Sequence, residues 1–250
     1  MTRAGWGRIA AKRGKGKEPL CSRAPAVHGD GVLDEHILFI DGEAIVIDKP
    51  AGLPVDPPRD GSLSLENHLQ SLTFGFKRWP SAVHRLDRDT SGCLLLARNP
   101  KAHRRYAQSF EEGRVEKVYL AILDGIPDAS EGFVDLPLLK QSSRETGWRM
   151  VGDPKGKPAT TAWRVLESVD GKALVEFRPT TGRTHQIRVH AATGVGVPIL
   201  GDPVYGRGGK DGRTMLHAAR LVLPREGKPA IEADAAMPDR FRVLGFGNGA

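Results

Sequence analysis

Residues 84–92 read His-Arg-Leu-Asp-Arg-Asp-Thr-Ser-Gly and run without a break into Cys93-Leu94-Leu95-Leu96-Ala97. Alternating charge followed by Asp-Thr-Ser-Gly is the composition of a turn crowded with hydrogen-bonding side chains, and the apolar residues after it read as a buried strand. A carboxylate-bearing loop is therefore pinned to the core, with Asp87 at its centre. An aspartate in such a loop is ionised near neutrality, which suits a nucleophile better than a general acid. On local chemistry alone the plainer reading is a turn-former or ion-pair partner, because isolated short motifs are weak signals.

The 250-residue chain can bury roughly 70 to 75% of its unfolded surface, enough for a core without a cofactor or disulfides. Its two cysteines, Cys21 and Cys93, lie far apart and lack metal-ligand spacing, so neither a disulfide framework nor a metal site is expected. That usage suits a reducing compartment, the cytoplasm. The longest apolar run, Val118 to Leu123, falls far short of the ~18 residues of a membrane span. Met1 to Ala11 lacks the apolar segment of a secretory signal. The net charge of +7 is concentrated at the start: residues 1–27 carry +6, which leaves +1 for the other 223. Residues 1–34 are expected to form a disordered basic leader, either solubilising or gripping RNA through salt-sensitive contacts, and residues 35–250 a single domain.

Along that domain, Ile37 to Ile40 and Ala44 to Ile47 flank Asp41-Gly42-Glu43 at hairpin spacing. Lys49-Pro-Ala-Gly-Leu53 must be a loop, since prolines supply no amide donors. Its lysine could face phosphate or cap a strand. Leu65, Leu69 and Leu72 predict a short amphipathic helix within 62–72, with His68 on its solvated side. Asn99 as N-cap, Pro100 in the first turn, an Ala102/Tyr106/Phe110 stripe and Gly113 as stop predict a second helix, whose Lys101, Arg104 and Arg105 read as a solvated face. Val115 to Leu123 reads as a strand with Lys117 and Tyr119 on one face. Residues 129–157 are the least legible. Ala159 to Leu166 and Ala173 to Phe177 form a hairpin around Asp170-Gly171. Pro179-Thr-Thr-Gly182 opens a predicted helix over 183–193, placing Thr184, His185 and Arg188 together and making Arg188 a candidate anion site. Asp89 and Asp202 read as structural turn and loop residues, and Met215 to Leu223 as a strand or helix edge. No repeat recurs. The expected fold class is α+β, a mixed, largely antiparallel sheet with flanking helices and a central cleft.

Three segments stand out in order: His84 to Gly92; Lys117-Val-Tyr-Leu-Ala121; and Thr181-Gly-Arg-Thr-His-Gln-Ile-Arg-Val-His190, followed by Gly201-Asp-Pro-Val-Tyr-Gly206. Together they resemble the active-site segments of RluA-type RNA pseudouridine synthases, over most of the chain from about Ile37 to Leu223. The resemblance implies the pseudouridine synthase fold, with Asp87 as the catalytic carboxylate. It also implies that Tyr119 stacks under the target uracil and helps remove its C5 proton, that Arg188 pairs with Asp87, and that Arg85 displaces or replaces the flipped nucleotide. Lys117, Arg183 and His185 join Arg85, Tyr119 and Arg188 as expected substrate-binding residues. The chain departs from the family in showing no separate S4 RNA-binding domain.

The implied reaction breaks the N1 glycosidic bond, turns the uracil and joins C5 to the same sugar, so no cofactor or metal is expected. A stacked base cannot reach a protein carboxylate, so the uridine must flip out, most cheaply from a loop. The expected partner is structured RNA, tRNA and/or 23S rRNA, bound by a monomer with no obligate protein partner and no membrane. Two alternatives remain: a hydrolytic nucleosidase or glycosidase, which would need a second carboxylate, and a non-catalytic RNA-binding module.

Overall fold

A computed structural model of the chain describes residues 33–143, 147–208 and 213–247. Most of the expected basic leader lies outside the described residues. The hairpin at Asp41 forms as its spacing predicts, from β1 (Ile37–Ile40) and β2 (Ala44–Lys49). The Asp41 carboxylate accepts the Glu43 and Ala44 amides and so closes the turn. The first leucine-spaced helix is a 3₁₀-helix, Leu65–Leu72, opened by a Ser64/Asn67 capping box. His68 on it is half-buried, not solvated, and its Nε2 has no partner. A two-residue strand, β3 (Ser81–Ala82), leads into the His84 loop, which ends in β4 (Ser91–Ala97). Helix α1 (Pro100–Glu111) starts where expected, with Asn99 accepting the Ala102 amide.

Then follow β5 (Glu116–Leu123), β6 (Glu131–Asp135), β7 (Leu138–Ser143), β8 (Gly147–Gly152), β9 (Thr160–Val169) and β10 (Lys172–Pro179). The predicted helix over 183–193 is corrected. A single α-turn, α2 (Gln186–Val189), passes into a π-helical stretch, His190–Val195, and His185 stands before it in the left-handed conformation, φ +54°. Strands β11 (Leu216–Leu223) and β12 (Ile231–Asp234) and the short α3 (Asp239–Arg242) complete the described chain.

The strands form one ten-stranded sheet, ordered β1-β2-β4-β11-β5-β10-β9-β6, with β12 also on β11 and β3 also on β4; β7 and β8 pair separately. Among these ladders only β4 and β11 run parallel. The mixed, largely antiparallel α+β expectation therefore holds.

Strand β4 explains its unbroken apolar run, because both its faces are covered. Cys93 and Leu95 pack with Ala102 and Tyr106 of α1, whereas Leu94 and Leu96 pack with Leu65, Leu69 and Leu72 of the 3₁₀-helix. Leu86, one residue before Asp87, is buried in the second cluster and anchors the loop. Farther along, Val175 and Phe177 of β10 meet Ile187 and Ala191, which fixes the segment that carries Arg188.

One row across the sheet positions the centre of the molecule: Gly92 opposes Ala218 and Ala218 opposes Tyr119. Two strand spacings, roughly 10 Å, thus separate the end of the Asp87 loop from Tyr119. Gly92 has φ +106°, and a Cβ there would sit 2.2 Å from the Ala218 carbonyl oxygen. The last residue of the nonapeptide is glycine because the parallel neighbour passes that close.

Candidate active site

The Asp87 loop is held from below by a lysine. Lys49 is fully buried at the end of β2, and its ammonium donates to the carbonyls of Pro50, Leu53 and Arg88. The Gly52 amide donates to Arg88 as well. Lys49 is thus a clamp between two loops, not a phosphate ligand. Burial pushes its ammonium down to about 7, against the opposing pull of Asp89 and Asp87. On the strand beyond, the His84 Nε2 accepts the Leu95 amide and the ring stacks on Phe110, centroids 4.4 Å apart. Burial pushes that imidazole down to about 3, so it is neutral.

Above this base lies a cavity of about 450 Å³, lined by Arg85, Asp87, Lys117, Tyr119, Arg183, His185 and Arg188 among others. All seven residues singled out in the sequence therefore share one cleft, within the size range of small-molecule sites. Arg188 Nη1 donates to Asp87 Oδ2 at 3.1 Å. Its other edge is a fork on Asp202, with Nε to Oδ2 at 2.7 Å and Nη2 to Oδ1 at 2.9 Å. Arg188 is consequently no free anion site: it is shared between two carboxylates. Asp202, with 0% exposure, also accepts the amides of Val204 and Tyr205. Burial would raise its carboxyl, but Arg188 and the two amides outweigh burial and hold it below the usual range. Burial likewise works against the Arg188 charge, and the two aspartates more than restore it.

The remaining side chains are placed by equally specific contacts. Tyr119 has its phenol pushed above the usual range by burial and then by the Asp87 charge, so it stays protonated. Lys117 Nζ donates to the Thr181 carbonyl at 3.0 Å, and burial pushes it down to about 8. Arg183 Nε donates to Pro158, and Arg85, mostly exposed, pairs with Asp56 at 2.9 Å. His185 lies with Nε2 3.9 Å from Asp87 Oδ2 and Nδ1 2.9 Å from the Tyr205 hydroxyl. That hydroxyl also accepts the Met150 amide, which ties His185 and Tyr205 to the β7–β8 hairpin.

Several residues of the site are not evident from sequence. Besides Asp202, Tyr205 packs under Arg188 with its ring centroid 5.1 Å from the guanidinium carbon, and Trp148 of the β7–β8 hairpin stacks on His185 at 5.1 Å. Gln186 is buried and makes four hydrogen bonds, accepting from Thr181 and Arg183 and donating to Thr160 and Thr161, which fixes the loop before Arg188. Among the described residues no three or more His, Cys, Asp or Glu side chains gather as metal ligands.

A family model described as RNA pseudouridylate synthase matches residues 43–193, which span the Asp87, Tyr119 and Arg188 segments. The chain belongs to the RluA-type RNA pseudouridine synthase family. An uncharacterized RNA pseudouridine synthase of Zymomonas mobilis is 61% identical over 217 residues, covering 86% of this chain and 99% of that protein. The ribosomal large subunit pseudouridine synthase D of the same organism is 37% identical over 227 residues, covering 83% and 71%. Among solved structures, human RNA pseudouridylate synthase domain containing 4 superposes with a TM-score of 0.70 at 29% identity, covering 85% of this chain and 92% of that one. As a pseudouridine synthase the chain is an isomerase.

Proposed function

We propose that Asp87 is the catalytic carboxylate of this pseudouridine synthase, acting on uridines flipped out of structured RNA, in tRNA and/or 23S rRNA. One observation carries the reading: within a nucleotide-sized cleft, Asp87 is held by a guanidinium that a second, buried carboxylate fixes in place. An unpaired carboxylate so placed would lack a counter-charge, whereas this one is paired with Arg188 and aimed by it. Tyr119 supplies the face against which the uracil lies. Because its phenol is protonated, acceptance of the C5 proton requires the phenol to pass its own proton on, and Asp87 is the charged neighbour. Lys117, Arg183 and His185 contact the nucleotide and its phosphates. Arg85 is exposed at the rim, where its one ion pair among the described residues is with an exposed aspartate, and so is free to enter the stack that the uridine leaves. We infer a monomer working in the cytoplasm; no described helix is long and apolar enough to cross a membrane.

A glycosidase-like hydrolysis needs a second carboxylate free to act on water or the leaving group. The second carboxylate here is Asp202, fully buried and saturated by Arg188 and two amides, so isomerisation is favoured. Tritium release from 5-tritiated uridine in bulk tRNA and rRNA tests both readings. Asp87→Asn is expected to abolish release and leave RNA binding intact, with no free uracil formed by the parent. Wild-type release from Asp87→Asn would remove Asp87 from the chemistry. Mapping pseudouridines in total RNA with and without the protein identifies the RNA.

A further inference from the structure

A second concavity, a groove of about 1050 Å³, opens between the first turn of α1 and the segment leading into β3. Its lining includes Lys77, Arg78, Arg98 and Arg104 and contains no aspartate or glutamate. Among the described residues none of these four cations lies within ion-pair distance of a carboxylate. Two aromatic rings stand among them, Trp79 at 60% exposure and Phe76 at 40%. Arg98 lies 3.8 Å above the Phe76 ring and donates to the carbonyls of Asp41, Thr73 and Phe74, which fixes the ring. Arg98 is 8% exposed, and its Nε has no hydrogen-bond partner. Exposed tryptophan is costly on a solvent-facing surface, and uncompensated positive charge around it repels itself; both costs vanish if a polyanion with flat faces is seated there.

The groove and the catalytic cleft are the two ends of one helix. Phe110, near the far end of α1, stacks on His84 and borders the Asp87 cavity. Twelve residues of helix separate the two openings by ~18 Å, which a stacked strand covers in about five nucleotides. Lys101 and Arg104 are exposed along that path.

We propose that this groove is a second RNA-contact surface, taking an unpaired base of the substrate RNA against Trp79 and Phe76 and its flanking phosphates on Lys77, Arg78 and Arg104. The proposal rests on the pseudouridine synthase reading for the identity of the RNA, not for the contact itself. An acidic protein segment would satisfy the cations but would leave the ring faces unstacked.

The test uses the full chain and a fluorescein-labelled, uridine-containing stem–loop RNA of tRNA size. Trp79→Ala combined with Arg104→Ala replaces two exposed groups, and an unchanged melting temperature shows that the fold is retained. Binding is expected to weaken roughly 5- to 150-fold through the lost stacking. The slope of log affinity against log salt should become shallower by about 0.7 for the cation removed. KM should rise while kcat at saturation stays as in the parent, and 4-thiouridine RNA should cross-link to residues 76–79. Unchanged affinity and salt slope, or cross-links confined to the Asp87 cleft, would overturn the proposal, whether or not a protein segment binds the groove. If Asp87→Asn proved fully active while the Trp79 effect persisted, the catalytic assignment would fall and this surface would stand.

Discussion

The residues around Asp87 divide between those that reach its carboxylate and those that hold the surrounding backbone, and the division cuts across the sequence motif. Within Thr181 to His190, Arg188 and His185 reach Asp87, whereas Gln186 and His190 tie the segment to β9 through Thr161, with His190 also on the Leu136 carbonyl. Asp202 belongs with the second group while acting on the first. Asp202→Asn leaves the buried Arg188 guanidinium short of a charge, so unfolding free energy should fall by about 3–5 kcal/mol. Because Arg188 is then free to swing, kcat should drop more than KM rises, read from steady-state tritium release and urea denaturation on the same preparation. That Asp87, Tyr119 and Arg188 share one cleft was legible because a long ordered resemblance grouped them. Asp202 read as a mere loop residue because Gly-Asp-Pro is ordinary turn chemistry and nothing local announces a partner 14 residues back. Gly201 before it shows the same crowding as Gly92: φ is +77°, and a Cβ would meet the Arg213 carbonyl oxygen at 2.2 Å.

Elements whose own sequence closes their turns or caps were legible, and those set by tertiary contacts were not. The β9–β10 hairpin was readable because Asp170 and Gly171 both take positive φ, 47° and 72°, as a tight turn matched to sheet twist demands. Helix α1 was readable from Asn99 and Pro100. Removing that cap in Asn99→Ala should cost about 1 kcal/mol in denaturant unfolding and leave kcat within experimental error, because the helix packs through Ala102 and Tyr106 regardless. By contrast, β7 and β8 eluded the pattern because most of their side chains face solvent, so no alternation of apolar and polar residues marks them. The 183–193 segment carried helical spacing yet folds as one α-turn and a π-helical stretch. The left-handed His185 and the buried Gln186 network start the helix three residues late.

At the scale of the molecule, the α+β class and the mixed sheet followed from alternating strand and helix signals. The strand order did not, because pairing β4 with β11 depends on residues 126 positions apart that no local pattern links. Global stability should also carry a signature of the half-buried His84. Its folded imidazole is pushed from the ordinary 6.5 down to about 3, so between those values the unfolded chain binds a proton that the folded chain does not. Stability from this group is therefore complete above pH 6.5 and declines as pH falls toward 3. His84→Gln keeps an acceptor for the Leu95 amide but cannot titrate. Denaturation midpoints compared at pH 7.5 and 5 should fall less for that variant than for the parent, and equal declines would contradict the assignment.

The parallel seam between β4 and β11 has a consequence for biosynthesis. A ribosome releases Asp87 and its strand long before Leu216 has been made, so the Ser91–Gly92 end of β4, which β3 does not cover, waits for its partner while more than a hundred further residues emerge. Arg188 and Asp202 arrive late as well. The Asp87 cleft, one wall of which is Leu216, is therefore completed only when β11 docks, late in synthesis.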